Sequence, residues 1–338
     1  LRQKSLTFTP TLYKLPKPKE TSQPFFAMNK PKETTLKTIP AFLKPKDKIA
    51  ICSSARKISL EEIAAAVQKI ESMGYTAVVG KTIGLSDNQF AGSDKERAAD
   101  LQSMIDNPEI RAVWFARGGY GTVRILDMVD FSSLVANPKW LIGYSDVTAL
   151  LSHLFFFCNM TSLHAIMPLE VSPQTANLPC VNKIFDIISG KGNTIECISD
   201  YKPQNVEFEG EIIGGNLSVL YSLLGSESFG DTEGKILFIE DLDEYLYHID
   251  RMMQALKRSG KLSKLKGLLV GAMTKMHDNA IPFGKSAYEI VAEAVESYDY
   301  PKVFDIPVGH IGKENTPLIA GCKTKVSQQG NKITISQL

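Results

Sequence analysis

Three short segments carry residue types that can do chemistry, and each follows an apolar run. In Leu141-Ile-Gly-Tyr-Ser-Asp-Val-Thr-Ala-Leu150 the run ends at Gly143-Tyr144-Ser145-Asp146 and a helix-like pattern begins. A strand that turns sharply into a helix lifts the residue at the turn above the sheet edge and leaves the next backbone N–H groups free for an anion. Ser145 is therefore a candidate nucleophile, although Ser145 and Asp146 are equally the types that cap a helix. The second segment is Ala116-Arg-Gly-Gly-Tyr-Gly-Thr122. Its glycines permit close backbone approach, so it could cradle a phosphate or an oxyanion, or simply make a tight turn. It lacks the Lys-Ser/Thr of a P-loop and the G-x-G-x-x-G order, which makes it a poor nucleotide signature. The third segment, Leu237-Phe-Ile-Glu240-Asp241-Leu-Asp243-Glu244, sets four carboxylates behind an apolar strand. Asp243 and Glu244 suit the start of the following helix, leaving Glu240 at the strand end to meet a partner or to stay a solvated charge.

A serine hydroxyl needs a base within hydrogen-bond reach and a third group to orient that base. Of the five histidines, His153 and His164 fall within or just after the helix behind Ser145, His248 lies on the helix after Glu244, and His277 sits in a polar loop. His310, in Asp305-Ile-Pro-Val-Gly-His310-Ile-Gly312, ends a strand-like run between glycines and is the best placed of them to act as a base.

The elements that must hold these residues alternate. A strand over 48–53 is followed by a helix over 59–73 that opens on a capping-box spacing, Ser59 to Glu62, and stops at Gly74. A strand over 75–79 and a second capping box, Ser93 to Glu96, come next, then strands at 111–116 and 140–142 with a helix-like 122–128 between them. This alternation predicts an α/β fold built on a parallel sheet covered on both faces. In such sheets ligands bind beyond the carboxyl ends of the strands, where all three segments fall. The turn-rich residues 172–179 begin a connection to a second domain containing Gly214-Gly-Asn-Leu217, strands at 235–239 and 267–270, helices at 244–257 and 286–297, and strand-like pieces at the end.

The 338 residues suffice for two domains, and 43% hydrophobic with 22% charged residues describes a soluble globular chain. A net charge of +1 gives no field drawing it to nucleic acid or to an anionic membrane, and no apolar run is long enough to span a bilayer. Five widely spaced cysteines without a C-x-x-C pair suit free, mostly buried thiols in a reducing compartment. Residues 1–27 are basic, proline-bearing and without periodicity, and read as disordered; a transit peptide or a true start at Met28 are alternative readings.

Taken together, Arg117-Gly-Gly-Tyr-Gly121, Gly143-Tyr-Ser-Asp146, Gly214-Gly-Asn-Leu217, Ile239-Glu-Asp241 with Asp250-Arg-Met252, and Pro307-Val-Gly-His310 resemble, in order and spacing, the LD-carboxypeptidase family of serine peptidases, which includes the microcin self-immunity peptidases. The resemblance covers about residues 44–335. It implies an amino-terminal α/β domain like that of class I glutamine amidotransferases and a carboxyl-terminal swivelling β/β/α domain. The expected limits are a tail over 1–43, the first domain over 44–171, a connection over 172–197 and the second domain over 198–338. The resemblance assigns Ser145 as nucleophile, His310 as general base and Glu240 as the carboxylate orienting it, with the backbone N–H groups of Asp146 and Gly119 as oxyanion hole. It implies a cytoplasmic homodimer that releases terminal D-alanine from murein tetrapeptides, with no metal or cofactor. Arg117 and Asn216 are chemically suited to the substrate's carboxylate. The alternatives are an amidohydrolase acting on peptidyl or aminoacyl nucleotides, which an aromatic platform between the domains would favour, and a non-catalytic phosphate-binding module. Phe185 is the only aromatic residue in 166–200.

Overall fold

The computed structural model describes residues 37–338, so the expected disordered leader and the start at Met28 lie outside the described residues. Residues 38–43, assigned to the tail from sequence, pack onto the fold. The Thr38 N–H donates to Asn159 O at 2.9 Å, Leu43 is buried, and the Phe42 ring stacks on Trp140 with centroids 6.4 Å apart.

The first half of the chain forms β1 (Lys48–Cys52), α1 (Leu60–Ser72), β2 (Thr76–Val79), α2 (Asp94–Asp106), β3 (Ile110–Phe115), α3 (Ser132–Ala136), β4 (Trp140–Gly143), α4 (Thr148–Phe156) and β5 (Ser162–His164). The second half forms α5 (Pro179–Ile188), β6 (Asn193–Ile198), β7 (Gln204–Asn216), α6 (Leu217–Ser222), β8 (Ile236–Leu242), α7 (Leu246–Arg258), β9 (Gly267–Thr274), α8 (Ala287–Ala294), β10 (Lys302–Phe304), β11 (Leu318–Ala320), β12 (Lys323–Gly330) and β13 (Lys332–Gln337). Both capping boxes form as the spacing predicts, with Ser59 and Glu62 closing α1 and Ser93 and Glu96 closing α2.

Two sheets result, and the fold is mixed α/β. The first has strand order β11-β5-β4-β3-β1-β2 and is parallel except for β11, which returns from the end of the chain to pair with β5. The second has order β10-β9-β8-β7-β12-β13-β6. Here β7 is long enough to pair antiparallel with β12 along residues 204–211 and parallel with β8 along 212–216. Alternate residues serve opposite faces, as a period of two requires. Ile49, Ile51, Trp114 and Ile142 pack with α1 and α5, whereas Cys52, Val113, Phe115 and Leu141 join a cluster that runs on through Leu217, Leu237, Ile239 and Val270. That shared cluster locks the second sheet to the first and sets their strand ends in relation to one another.

Three elements differ from the sequence reading. Residues 172–197 hold α5 and most of β6 rather than a plain connection; Cys180, Val181, Ile184, Phe185, Ile187 and Ile188 bury one side of α5. Strand β8 continues through Leu242, so Glu240 and Asp241 stand inside it, because both carboxylates are buried and bonded rather than solvated. His310 lies in a loop beyond β10, which stops at Phe304.

Candidate active site

Ser145 opens a short 3-10 turn between β4 and α4 and holds φ at +60°, a left-handed conformation that costs a residue with a side chain about 1–3 kcal/mol. Strain of this kind persists only where surrounding structure enforces it. The glycine segment after β3 supplies part of that enforcement. A Cβ built on Gly118 would stand 3.1 Å from Ser145 Oγ and 3.4 Å from Asp146 N, so a larger residue there would crowd the serine. The segment is clamped in place. Asp146 Oδ2 accepts the Thr122 N–H at 2.8 Å, the Thr122 and Ser54 hydroxyls bond at 2.7 Å, and buried Arg97 donates to the carbonyls of Gly121, at 2.9 Å, and Ser54. Burial raises the Asp146 pKa and the Thr122 bond opposes that rise.

Glu240 is fully buried, and its Oε2 lies 2.7 Å from His310 Nδ1. The pairing of β8 with β9 slips between Ile239 and Asp241, which leaves Glu240 opposite an irregularity in β9. Such irregularities re-aim side chains beside functional sites. In the gap the Ala272 N–H donates to Val308 O at 2.9 Å, so residues 306–308 run along β9 and carry Gly309-His310 over the carboxylate. The Gly309 N–H is fixed by buried Asn315 Oδ1 at 2.9 Å, and Thr274 Oγ1 donates to His310 O at 3.1 Å. Burial alone would lower the His310 pKa; the hydrogen bond and charge of Glu240, with Glu170 and Asp241 adding, carry it above the usual value. An imidazole with that partner gains stability as it takes up a proton, which a general base requires.

Tyr144, the residue before Ser145, packs against the His310–Glu240 pair. Its ring lies on the His310 imidazole with centroids 4.7 Å apart, and its hydroxyl donates to Glu170 Oε1 at 2.7 Å. Glu170 Oε2 accepts the Met167 N–H at 3.0 Å. The edge of His164, in β5 beside Gly143, meets the Tyr144 ring at 5.6 Å. Burial pushes the His164 pKa down to about 4, against the raising effect of Glu240, so this imidazole stays neutral. Glu240 Oε1 and both His164 nitrogens are buried without hydrogen-bond partners among the described residues, unsatisfied polar groups that are rare in an ordinary packed core. Tyr144, Glu170 and Asn315 escaped the sequence reading; only Tyr144 carried a signal, its position beside Ser145.

The two residues suited to a substrate carboxylate are placed differently. Arg117 Nη1 donates to Lys57 O at 3.1 Å. Asn216 is buried at the end of β7, where its Nδ2 donates to Asp241 Oδ1 at 2.9 Å and its Oδ1 caps α6 through the Val219 N–H at 3.2 Å. Asp241, also bonded by the Ser218 and Leu242 N–H groups, has its pKa raised to about 7 by burial first and the Glu240 charge second. Among the described residues no three His, Cys, Asp or Glu side chains gather as a metal site, and no helix is long and apolar enough to cross a membrane. The arrangement offers a strained hydroxyl, backbone N–H groups beside it and a carboxylate-paired imidazole, the parts of nucleophilic acyl transfer.

Comparison with known proteins identifies the family. Residues 49–165 match the LD-carboxypeptidase N-terminal domain and residues 209–326 the LD-carboxypeptidase C-terminal domain. The probable murein peptide carboxypeptidase of Bacillus subtilis (strain 168) is 32% identical over 282 residues, 80% of this chain and 86% of that protein. The microcin C7 self-immunity protein MccF of Escherichia coli is 26% identical over 303 residues, 80% of this chain and 87% of that protein. The crystal structure of muramoyltetrapeptide carboxypeptidase from Oxalobacter formigenes superposes with a TM-score of 0.78 at 25% identity, covering 86% of this chain and 98% of that one. With both halves matched in order and a relative above 30% identity along most of its length, the chain belongs to the LD-carboxypeptidase family of peptidases.

Proposed function

We propose that the protein is a serine LD-carboxypeptidase that releases terminal D-alanine from murein tetrapeptides. The observation that carries this reading is His310 bonded to buried Glu240 and packed on Tyr144, the chain neighbour of a serine held at φ +60°. His310 takes the Ser145 proton, and Ser145 Oγ attacks the carbonyl of the L,D-amide. The N–H groups of Asp146 and Gly119 receive the developing oxyanion. His310 then protonates the departing D-alanine amine, and water, activated by the same imidazole, hydrolyses the acyl-enzyme. Residues 44–171 contribute the nucleophile and residues 198–338 the base and its carboxylate. The relatives' names support a peptide substrate of murein type, and family resemblance carries the further proposal of a cytoplasmic homodimer.

The relation to MccF favours a second reading, hydrolysis of an aminoacyl or peptidyl nucleotide. Against it, Phe185 is buried between Trp114 and Tyr75, centroids 6.0 and 6.1 Å away, and offers no platform to a base. A phosphate-binding module is disfavoured because Gly118 packs directly on Ser145. The test is incubation with L-Ala-γ-D-Glu-meso-diaminopimelyl-D-Ala and, separately, with an aminoacyl adenylate analogue, following products by mass spectrometry. Free D-alanine from the peptide supports the proposal; cleavage of the nucleotide alone replaces it with the second reading.

A further inference from the structure

A carboxypeptidase must recognise the free carboxylate one residue beyond the bond it cuts, and the cations around Ser145 differ in their freedom to do so. Arg97 and Arg124 are both paired with Asp94, and Arg117 donates to a backbone carbonyl. Arg56 is exposed, and its guanidinium has no hydrogen bond or ion pair among the described residues. Its side chain nevertheless has a defined place: a Cβ built on Gly119 would stand 2.4 Å from Arg56 Cδ and 2.7 Å from its Nε.

The backbone beneath this free side chain is pinned on every side. Arg56 O accepts the Ser53 hydroxyl at 2.7 Å, and Arg56 bridges Phe90. The Lys57 N–H donates to Gln89 O at 2.9 Å, and Lys57 O takes the Arg117 bond. Arg117 thus acts on Arg56 from behind, by holding the segment that presents it.

Reach agrees with this assignment. Gly118 touches Ser145 and Gly119 touches Arg56, and consecutive Cα atoms are about 3.8 Å apart, so Arg56 Nε lies no more than about 13 Å from Ser145 Oγ. A carboxylate one residue past an attacked carbonyl places its oxygens about 5–6 Å from the nucleophile, and a bonded nitrogen about 3 Å further, which falls within that limit. We propose that Arg56 is the specificity-determining cation that receives the terminal carboxylate of the substrate. This rests on the LD-carboxypeptidase reading and goes beyond it by naming the group that makes the enzyme an exopeptidase.

The test is calorimetric binding to the Ser145→Ala protein of the tetrapeptide with a free terminal carboxylate and of the same peptide ending in a carboxamide. The acid should bind about tenfold or more tightly than the amide, as expected of a charge-assisted bond to a fork-shaped donor. Adding Arg56→Met should remove that preference and change amide binding less than about twofold, while Arg56→Lys should restore part of it. Equal weakening of both peptides by Arg56→Met overturns the proposal, as does a selective loss seen in Arg117→Met and not in Arg56→Met. Failure of both peptides to bind the parent contradicts the murein-peptide reading itself and takes this assignment with it.

Discussion

Replacing Gly309 by alanine inserts one methyl group between the base and its carboxylate. The added Cβ would stand 2.8 Å from both Glu240 Cβ and Glu240 Oε2 and 3.0 Å from Cγ, well inside ordinary contact, and Gly309 holds φ at +116°. Relief requires Glu240 or the 305–310 loop to shift by several tenths of an ångström, and either shift disturbs the 2.7 Å bond to His310. Hydrogen bonds to charged groups contribute about 1.5–3 kcal/mol, and this one matters most when the imidazole is protonated in the transition state. Turnover should therefore fall about 10- to 100-fold. Backbone strain adds about 1–3 kcal/mol of lost stability, readable in urea unfolding. Gly312→Ala is the matched control: φ is +59° in the same loop, but nothing lies within 4 Å of the new methyl. It should lose about 1 kcal/mol of stability and keep full turnover. Equal losses of kcat in the two variants, or full kcat in folded Gly309→Ala, would refute the claim that this glycine exists to seat Glu240 on His310.

Two further outcomes follow from the same geometry. Because Glu240 holds the His310 pKa above its ordinary value near 6.5, kcat/KM should rise with pH along an acid limb centred above that value as the imidazolium gives up its proton. Glu240→Gln removes the charge that favours the imidazolium and should move the limb to lower pH while reducing the plateau; an unmoved limb would exclude His310 as the titrating base. Tyr144→Phe keeps the ring on His310 but removes the 2.7 Å bond to Glu170, leaving a half-buried carboxylate short of a donor. A stability loss of about 1–3 kcal/mol, measured by denaturant unfolding, together with reduced kcat is expected; an unchanged protein on both counts would deny Tyr144 any positioning role.

Local signals are legible where the physics is local. The Ser59–Glu62 and Ser93–Glu96 boxes close α1 and α2 because a capping box is complete within four residues. The Ser145 turn was equally legible, since Gly143 and the change of period at Val147 lie side by side in the chain. The sequence places Glu240 at a strand end, whereas it stands inside β8. Its placement depends on an irregularity in the β8–β9 pairing and on residues 306–308 lying along β9, neither of which leaves a mark in either segment alone. The same holds for β11, which joins the first sheet by pairing with β5 from more than 150 residues away. The apolar spacing of α5 is present in the sequence but directly follows the turn formers of 172–179, whose signal competes with it. Glu170, His164 and Arg56 matter only through what packs against them in space, so no reading of one segment could have found them.

The proposal that Ser145, His310 and Glu240 act as one catalytic unit is tested by a mutant cycle on D-alanine release from the LD-tetrapeptide. Ser145→Ala should abolish turnover with the fold intact, and adding His310→Ala or Glu240→Ala to it should lower the residual rate no further, since removing one member already disables the unit. Substantial turnover by Ser145→Ala, or losses that multiply when the substitutions are combined, would contradict the account.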